Sequence, residues 1–189
     1  NPTKAYAQIA DAIAAFENTA VFSPMTSKYD YYMLGKASFT AQERRGREVF
    51  EDEHKGNCAA CHPSRPEKNG AKRPLFTDFS YDNLGVPRNP ANPFYTQAPE
   101  FNPSGFEFVD IGLGDHVHDV AENGKFKVPT LRNIEEEALR QGCWPVAEVT
   151  VNVNHDELGK LGLTDQDIDD LIAFLNTLTD GYSMTAGRP

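Results

Sequence analysis

Three chemically able side chains fall within five residues, where Cys58-Ala59-Ala60-Cys61-His62 sets two thiols three positions apart and an imidazole directly after the second. The spacing suits one task closely. Two intervening residues turn the chain so that both thiols reach the vinyl groups of one haem, and the adjacent histidine faces the iron from the same side. The thioethers make the attachment permanent, and the histidine fixes one axial position. Other uses of the pattern lack support. A zinc site calls for a second ligand pair, another C-x-x-C or an H-x-x-x-H, and the sequence has none. A thioredoxin-like dithiol needs a βαβ setting, which the flanking sequence lacks. A structural disulfide between cysteines this close is strained. The sequence therefore predicts one covalent haem c on Cys58 and Cys61, with His62 as the proximal iron ligand.

The elements that must position this motif are helical. Thr3 to Asn18 reads as a helix with Ala5, Ile9, Ile13 and Phe16 on one face. An aromatic, turn-rich stretch follows from Phe22 to Gly35. A second helix starts at Thr40, where Thr40 and Glu43 form a capping-box pattern, and it carries Gly46 and Phe50 on one face just before the cysteines. The glycine admits a close helix partner. From Pro63 to Asn123 the chain is rich in Pro, Gly and Asn, which predicts long irregular loops of the kind that wrap a large ligand. A last helix is expected from Thr164 to Asp180, capped by Thr164 and Asp167, striped with Ile168, Leu171, Ile172, Leu175 and Leu178, and stopped at Gly181.

Composition narrows the function classes. The 189 residues suffice for one substantial domain with surface loops, and 28 acidic against 18 basic side chains give a net charge of -10, which argues against a nucleic-acid footprint. No run approaches the ~20 apolar residues of a membrane span. An acidic surface suits a neutral small substrate or a redox partner with a basic patch, and equally plain solubility. The chain begins at Asn1 without a Met, as a processed or partial product does. Haem is attached to such motifs outside the cytoplasm, so an exported, periplasmic protein is expected.

Several stretches resemble the C-terminal, high-potential haem domain of the bacterial di-haem cytochrome c peroxidases and the related MauG proteins. They are Tyr6 to Glu17, Ser27 to Tyr32, Thr40 to Phe50, the haem motif, Phe76 to Phe79, Asn83 to Pro87, Gly124 to Asn133, Asp156 to Gly159, Leu161 to Thr164 and Phe174 to Leu178. They cover most of the chain in the family's order. The resemblance implies a mainly α, cytochrome c-like haem domain over residues 36–189, with residues 1–35 forming a helix and aromatic linker that pack on it. It implies that the helix after Thr40 crosses the last helix near Phe174 and Leu175. It further implies that Pro129 and Leu131 pack on the haem and that Arg132 offsets propionate charge. An ordinary surface role for Arg132 fits the sequence equally.

The resemblance breaks after Asn133. The family continues into a segment that supplies the second axial residue, a Met in the peroxidases and a Tyr in MauG, whereas here Ile134-Glu135-Glu136-Glu137 leads to Gly142-Cys143-Trp144-Pro145. Either the distal side is open or served by another residue, or a stretch between Asn133 and Ile134 is missing from this sequence. The odd thiol of Cys143 favours the second, since a cysteine partner would lie in that stretch. An intact mass matching 189 residues plus one haem would overturn it. Distal candidates within the sequence are Met25, Met33, Met184, His54, His116, His118 and His155, and spacing does not choose among them. Calcium, which the family binds between domains, has candidate donors in Asp110, Asp115 and Asp119, but no twelve-residue calcium loop is formed and a solvated acidic loop is the simpler reading.

Two functions follow as expectations. One is the electron-donating haem domain of a peroxidase or MauG-like oxidoreductase that reduces hydrogen peroxide, with a small redox protein and a second haem domain as partners. The other is a stand-alone monohaem electron carrier with no catalysis of its own. A single haem with an open distal site, served by His116 or His118, is a weaker third.

Overall fold

The computed structural model describes residues 1–66, 73–134, 145–157 and 161–184. Among the described residues five α-helices are formed: α1 (Pro2–Glu17), α2 (Lys28–Met33), α3 (Ala41–Glu51), α4 (Leu113–Val117) and α5 (Asp165–Asn176). A two-residue antiparallel ladder joins β1 (Tyr81–Asp82) to β2 (Phe126–Lys127), and short 3-10 turns punctuate the loops between.

Three helices begin on the same device. Thr40 and Glu43 cap α3, and Thr164 and Asp167 cap α5, each side chain satisfying a free backbone N–H of the first turn as the sequence predicts. Ser27 and Asp30 cap α2 in the same way, so the stretch read as turns holds a helix. α5 is shorter than expected, ending at Asn176 rather than Asp180. The reason lies in its last carbonyls. Thr177 O accepts from Tyr29 N at 2.9 Å and Leu178 O from Asn133 N at 3.3 Å, so the chain stops winding to bond other segments.

α3 and α5 cross at Gly46, as expected. A Cβ there would run into the Asp170 carbonyl and stand 2.9 Å from Phe174 Cβ, so only glycine admits this approach. Around the crossing lies an aromatic core of Tyr29, Phe39, Phe50, Phe76 and Phe174 with Leu175 and Leu178. The Phe50 and Phe174 ring centroids are 5.2 Å apart and those of Tyr29 and Phe76 5.1 Å, with Tyr29 and Phe76 edge to face. Such pairs add about 0.5–1.5 kcal/mol each beyond the area they bury.

Beside the short β1–β2 ladder, the irregular middle of the chain is held by asparagines. Asn83 is buried, donating to the Val149 and Val151 carbonyls at 3.1 and 2.8 Å while its own oxygen accepts from Gly85 N. Asn102 donates to the carbonyls of Phe94 and Gly105. Side-chain amides thus satisfy backbone groups that a regular element would have paired.

Candidate haem-attachment site

The cysteine motif follows α3 through a turn folded back on the helix end. Gly56 N–H donates to Val49 O and Asn57 N–H to Asp52 O at 2.9 Å, with Asn57 in the left-handed region at φ 48. Cys58, Ala59 and Ala60 form a 3-10 turn, and His62 N–H donates to Cys58 O at 2.9 Å. Two thiols and one imidazole are thereby presented by one continuous turn anchored on the α3–α5 crossing.

Both thiols are half-buried and unpaired. Burial pushes each above the ordinary thiol range, and for Cys61 the nearby carboxylates of Asp78, Glu157 and Asp82 add to it. A redox dithiol needs the opposite, a stabilised thiolate. His62 is aimed by its neighbour in space. Its Nδ1 lies 2.8 Å from Phe76 O, and since a carbonyl only accepts, Nδ1 carries the proton and donates. In the neutral ring that leaves the lone pair on Nε2. That tautomer, fixed by a backbone carbonyl, is the one that an iron-ligating histidine needs. The donor set therefore fits a covalent haem: two free thiols on one turn and a histidine with the ligating nitrogen available.

The other expected residues are placed as follows. Leu131 is half-buried against the aromatic core on which Cys58 and Ala59 also pack, whereas Pro129 is exposed. The Arg132 side chain is only 7% exposed and is directed at a carboxylate, its guanidinium donating to both oxygens of Asp30 at 3.1 and 3.2 Å and to Pro74 O at 2.8 Å. Burial opposes charge on Asp30, but Arg132 and the Ser27 hydroxyl outweigh it and hold the carboxyl below the usual range. Arg73 joins the same carboxylate at 3.2 Å. Of the distal candidates, His54, His116, His118, His155, Met33 and Met184 are exposed and Met25 is half-buried. Among the described residues no group of three or more His, Cys, Asp or Glu forms a metal site. Asp110 and Asp119 accept from the backbone N–H groups of Gly112 and Ala121 and so close local turns. Cys143 and the run from Glu135 to Trp144 lie outside the described residues.

Two features escaped sequence reasoning. The α2 helix had a signal, since Ser27 and Asp30 stand at capping-box spacing. Phe76 had none, because its part is played by a backbone carbonyl that any residue type carries.

No protein-family model matches the chain. It is 34% identical to methylamine utilization protein MauG of Paracoccus denitrificans (strain Pd 1222), over 95% of this chain and 53% of that protein. It is 28% identical to cytochrome c peroxidase Ccp of Escherichia coli (strain K12), over 93% of this chain and 33% of that protein. Among solved structures, the diheme peroxidase BthA from Burkholderia thailandensis E264 matches with a TM-score of 0.69 and 28% identity, over 95% of this chain and 52% of that one. The fold is accordingly mainly α and cytochrome c-like. The chain spans about half the length of the first of these relatives. The alignment with MauG runs over 215 residues, more than this chain has, so the relative carries residues without a counterpart here.

Proposed function

Because this chain is related to the di-haem cytochrome c peroxidase and MauG family, we propose that it is a c-type haem domain of a peroxidase-like oxidoreductase, taking electrons from a small redox protein and delivering them to a second haem domain where hydrogen peroxide is reduced. Cys58 and Cys61 hold one haem through thioethers, and His62 Nε2 is its proximal ligand. The observation that carries this reading is the His62 Nδ1–H bond to Phe76 O, which leaves Nε2 free beside two unpaired thiols.

Haem supplies the one-electron chemistry when attached. The work of the chain is to hold and shape its surroundings. The turn from Cys58 to His62 fixes both covalent anchors and the proximal ligand against α3. Leu131 and the aromatic core exclude water from one side of that turn, and a dry surrounding raises the cost of changing charge there. The site works outside the cytoplasm, in the periplasm, where such attachment takes place. No described helix is long and apolar enough to cross a membrane.

The test is the intact mass and absorption spectrum of the purified protein, oxidised and reduced, with and without peroxide. One haem of added mass that survives denaturation and is lost in Cys58→Ala together with Cys61→Ala is expected. Free thiols in the native protein would overturn the reading. A haem whose spectrum ignores peroxide, even when a second haem domain is supplied, would leave only the electron carrier.

A further inference from the structure

The carbonyl that aims His62 belongs to a segment, Pro74 to Thr77, laced to a second one, Val128 to Arg132, by successive side chains. Arg132 Nε donates to Pro74 O at 2.8 Å, the Thr130 hydroxyl to Leu75 O at 2.5 Å, and the Thr77 hydroxyl to Val128 O at 2.6 Å. The Thr77 oxygen also accepts from Phe79 N–H at 3.1 Å, and Asp78 N–H donates to Cys61 O at 3.0 Å, which ties the same turn to the cysteine motif. Arg132 is itself fixed, through Asp30, to the start of α2.

This lacing holds an unfavourable backbone. Phe76 and Phe79 sit at φ 52 and φ 64, a region that bulky side chains avoid. Phe76 is fully buried and Thr77 nearly so, so the turn has no room to relax sideways. Strain of this kind persists only where the surroundings over-determine it. What it achieves here is visible: the Phe76 carbonyl is turned to His62 Nδ1.

We propose that Thr77, Thr130 and Arg132 are positioning residues for the proximal histidine, holding the Phe76 carbonyl so that the Nδ1–H bond stays short and the electron-donating power of Nε2 is set by the 128–132 stretch. A firm bond at Nδ1 makes the imidazole the more basic ligand, which favours ferric over ferrous iron. Loosening the lacing weakens that bond and raises the midpoint potential. The inference rests on the proposed haem attachment, so the test separates the two.

Holo-protein is prepared as wild type, Thr77→Val, Thr77→Ser, Thr130→Val and Thr130→Ser, and intact mass and midpoint potential are measured on each. Thr77→Val is expected to shift the ferric–ferrous balance toward ferrous by roughly tenfold, about 59 mV for a one-electron couple. Thr130→Val shifts it less and in the same sense, and both serine variants return to the wild-type potential. Thr130 is exposed, so its valine variant folds even if that at 77 does not. Unchanged potentials in the valine variants would overturn the positioning role, as would equal shifts for valine and serine, which would mark volume rather than the hydroxyl. A wild-type mass without haem overturns the attachment itself, and the positioning role falls with it.

Discussion

The helices α1 and α5 carry similar patterns, an apolar stripe at helical spacing over 16 and 12 residues. Their fates differ. Ile172 and Phe174 of α5 are 4% and 0% exposed, while Ile9 and Ile13 of α1 are 59% and 53% exposed and no residue of α1 is buried. The difference is made by the partner. α5 meets α3 at a position, Gly46, where the backbones come close enough for Phe50 and Phe174 to interlock. Nothing among the described residues does the same for α1. Periodicity reports that a face is apolar, and a small residue at the right place on a second helix decides whether it is packed.

The comparison breaks most sharply at Phe174. Its ring meets Tyr29, Phe39, Phe50 and Phe76, so Phe174→Ala should cost about 3–5 kcal/mol, read from denaturant unfolding of the purified chain. A loss below 1 kcal/mol would mean the crossing is not what holds the fold. Gly46→Ala comes next. The added methyl meets a backbone carbonyl that cannot rotate away, and an overpacking cost of about 3 kcal/mol is expected in the same assay. A stable alanine variant would show that the two helices have room to separate.

Much of this pairing was open to reading before any coordinates. The capping boxes at Thr40 and Thr164 mark helix starts because hydroxyl and carboxylate at that spacing satisfy free N–H groups locally. Cys58, Cys61 and His62 stand out as a candidate site because reactive side chains at short spacing leave few alternatives. What stayed hidden depends on contacts distant in sequence. The end of α5 is set by Tyr29, far upstream, taking the Thr177 carbonyl. Arg132 finds Asp30 across 102 positions, a pairing that no local pattern announces. The aiming of His62 by Phe76 rests on a carbonyl, the one group that residue type does not reveal.

A smaller effect tests the cap of α5. Lys55 Nζ lies 2.6 Å from Asp167, and together with the Thr164 hydroxyl and backbone N–H it lowers the Asp167 carboxyl from 3.8 to about 2. A depressed carboxyl stabilises the fold fully above its unfolded value and loses that contribution as pH falls through the folded one. The melting temperature should therefore drop as pH falls from 3.8 through about 2, and Asp167→Asn should flatten that part of the profile. Parallel profiles for the two proteins would show that the ion pair does not operate in solution.

The smallest effect is expected where the stripe is uncovered. Ile9→Gln with Ile13→Gln keeps good helix formers and removes two exposed apolar side chains, so stability should stay within about 0.5 kcal/mol. The corresponding pair in α5, Ile172→Gln with Leu175→Gln, buries two amides, the second in the aromatic core, and should leave too little stability to fold at ordinary temperature. Run side by side in thermal unfolding, the two double variants put the weight on the partner, because each replaces two apolar side chains on one helix face by glutamine. If the α1 pair cost more than about 1 kcal/mol, that stripe would be packed in solution, and the contrast between the two helices would disappear.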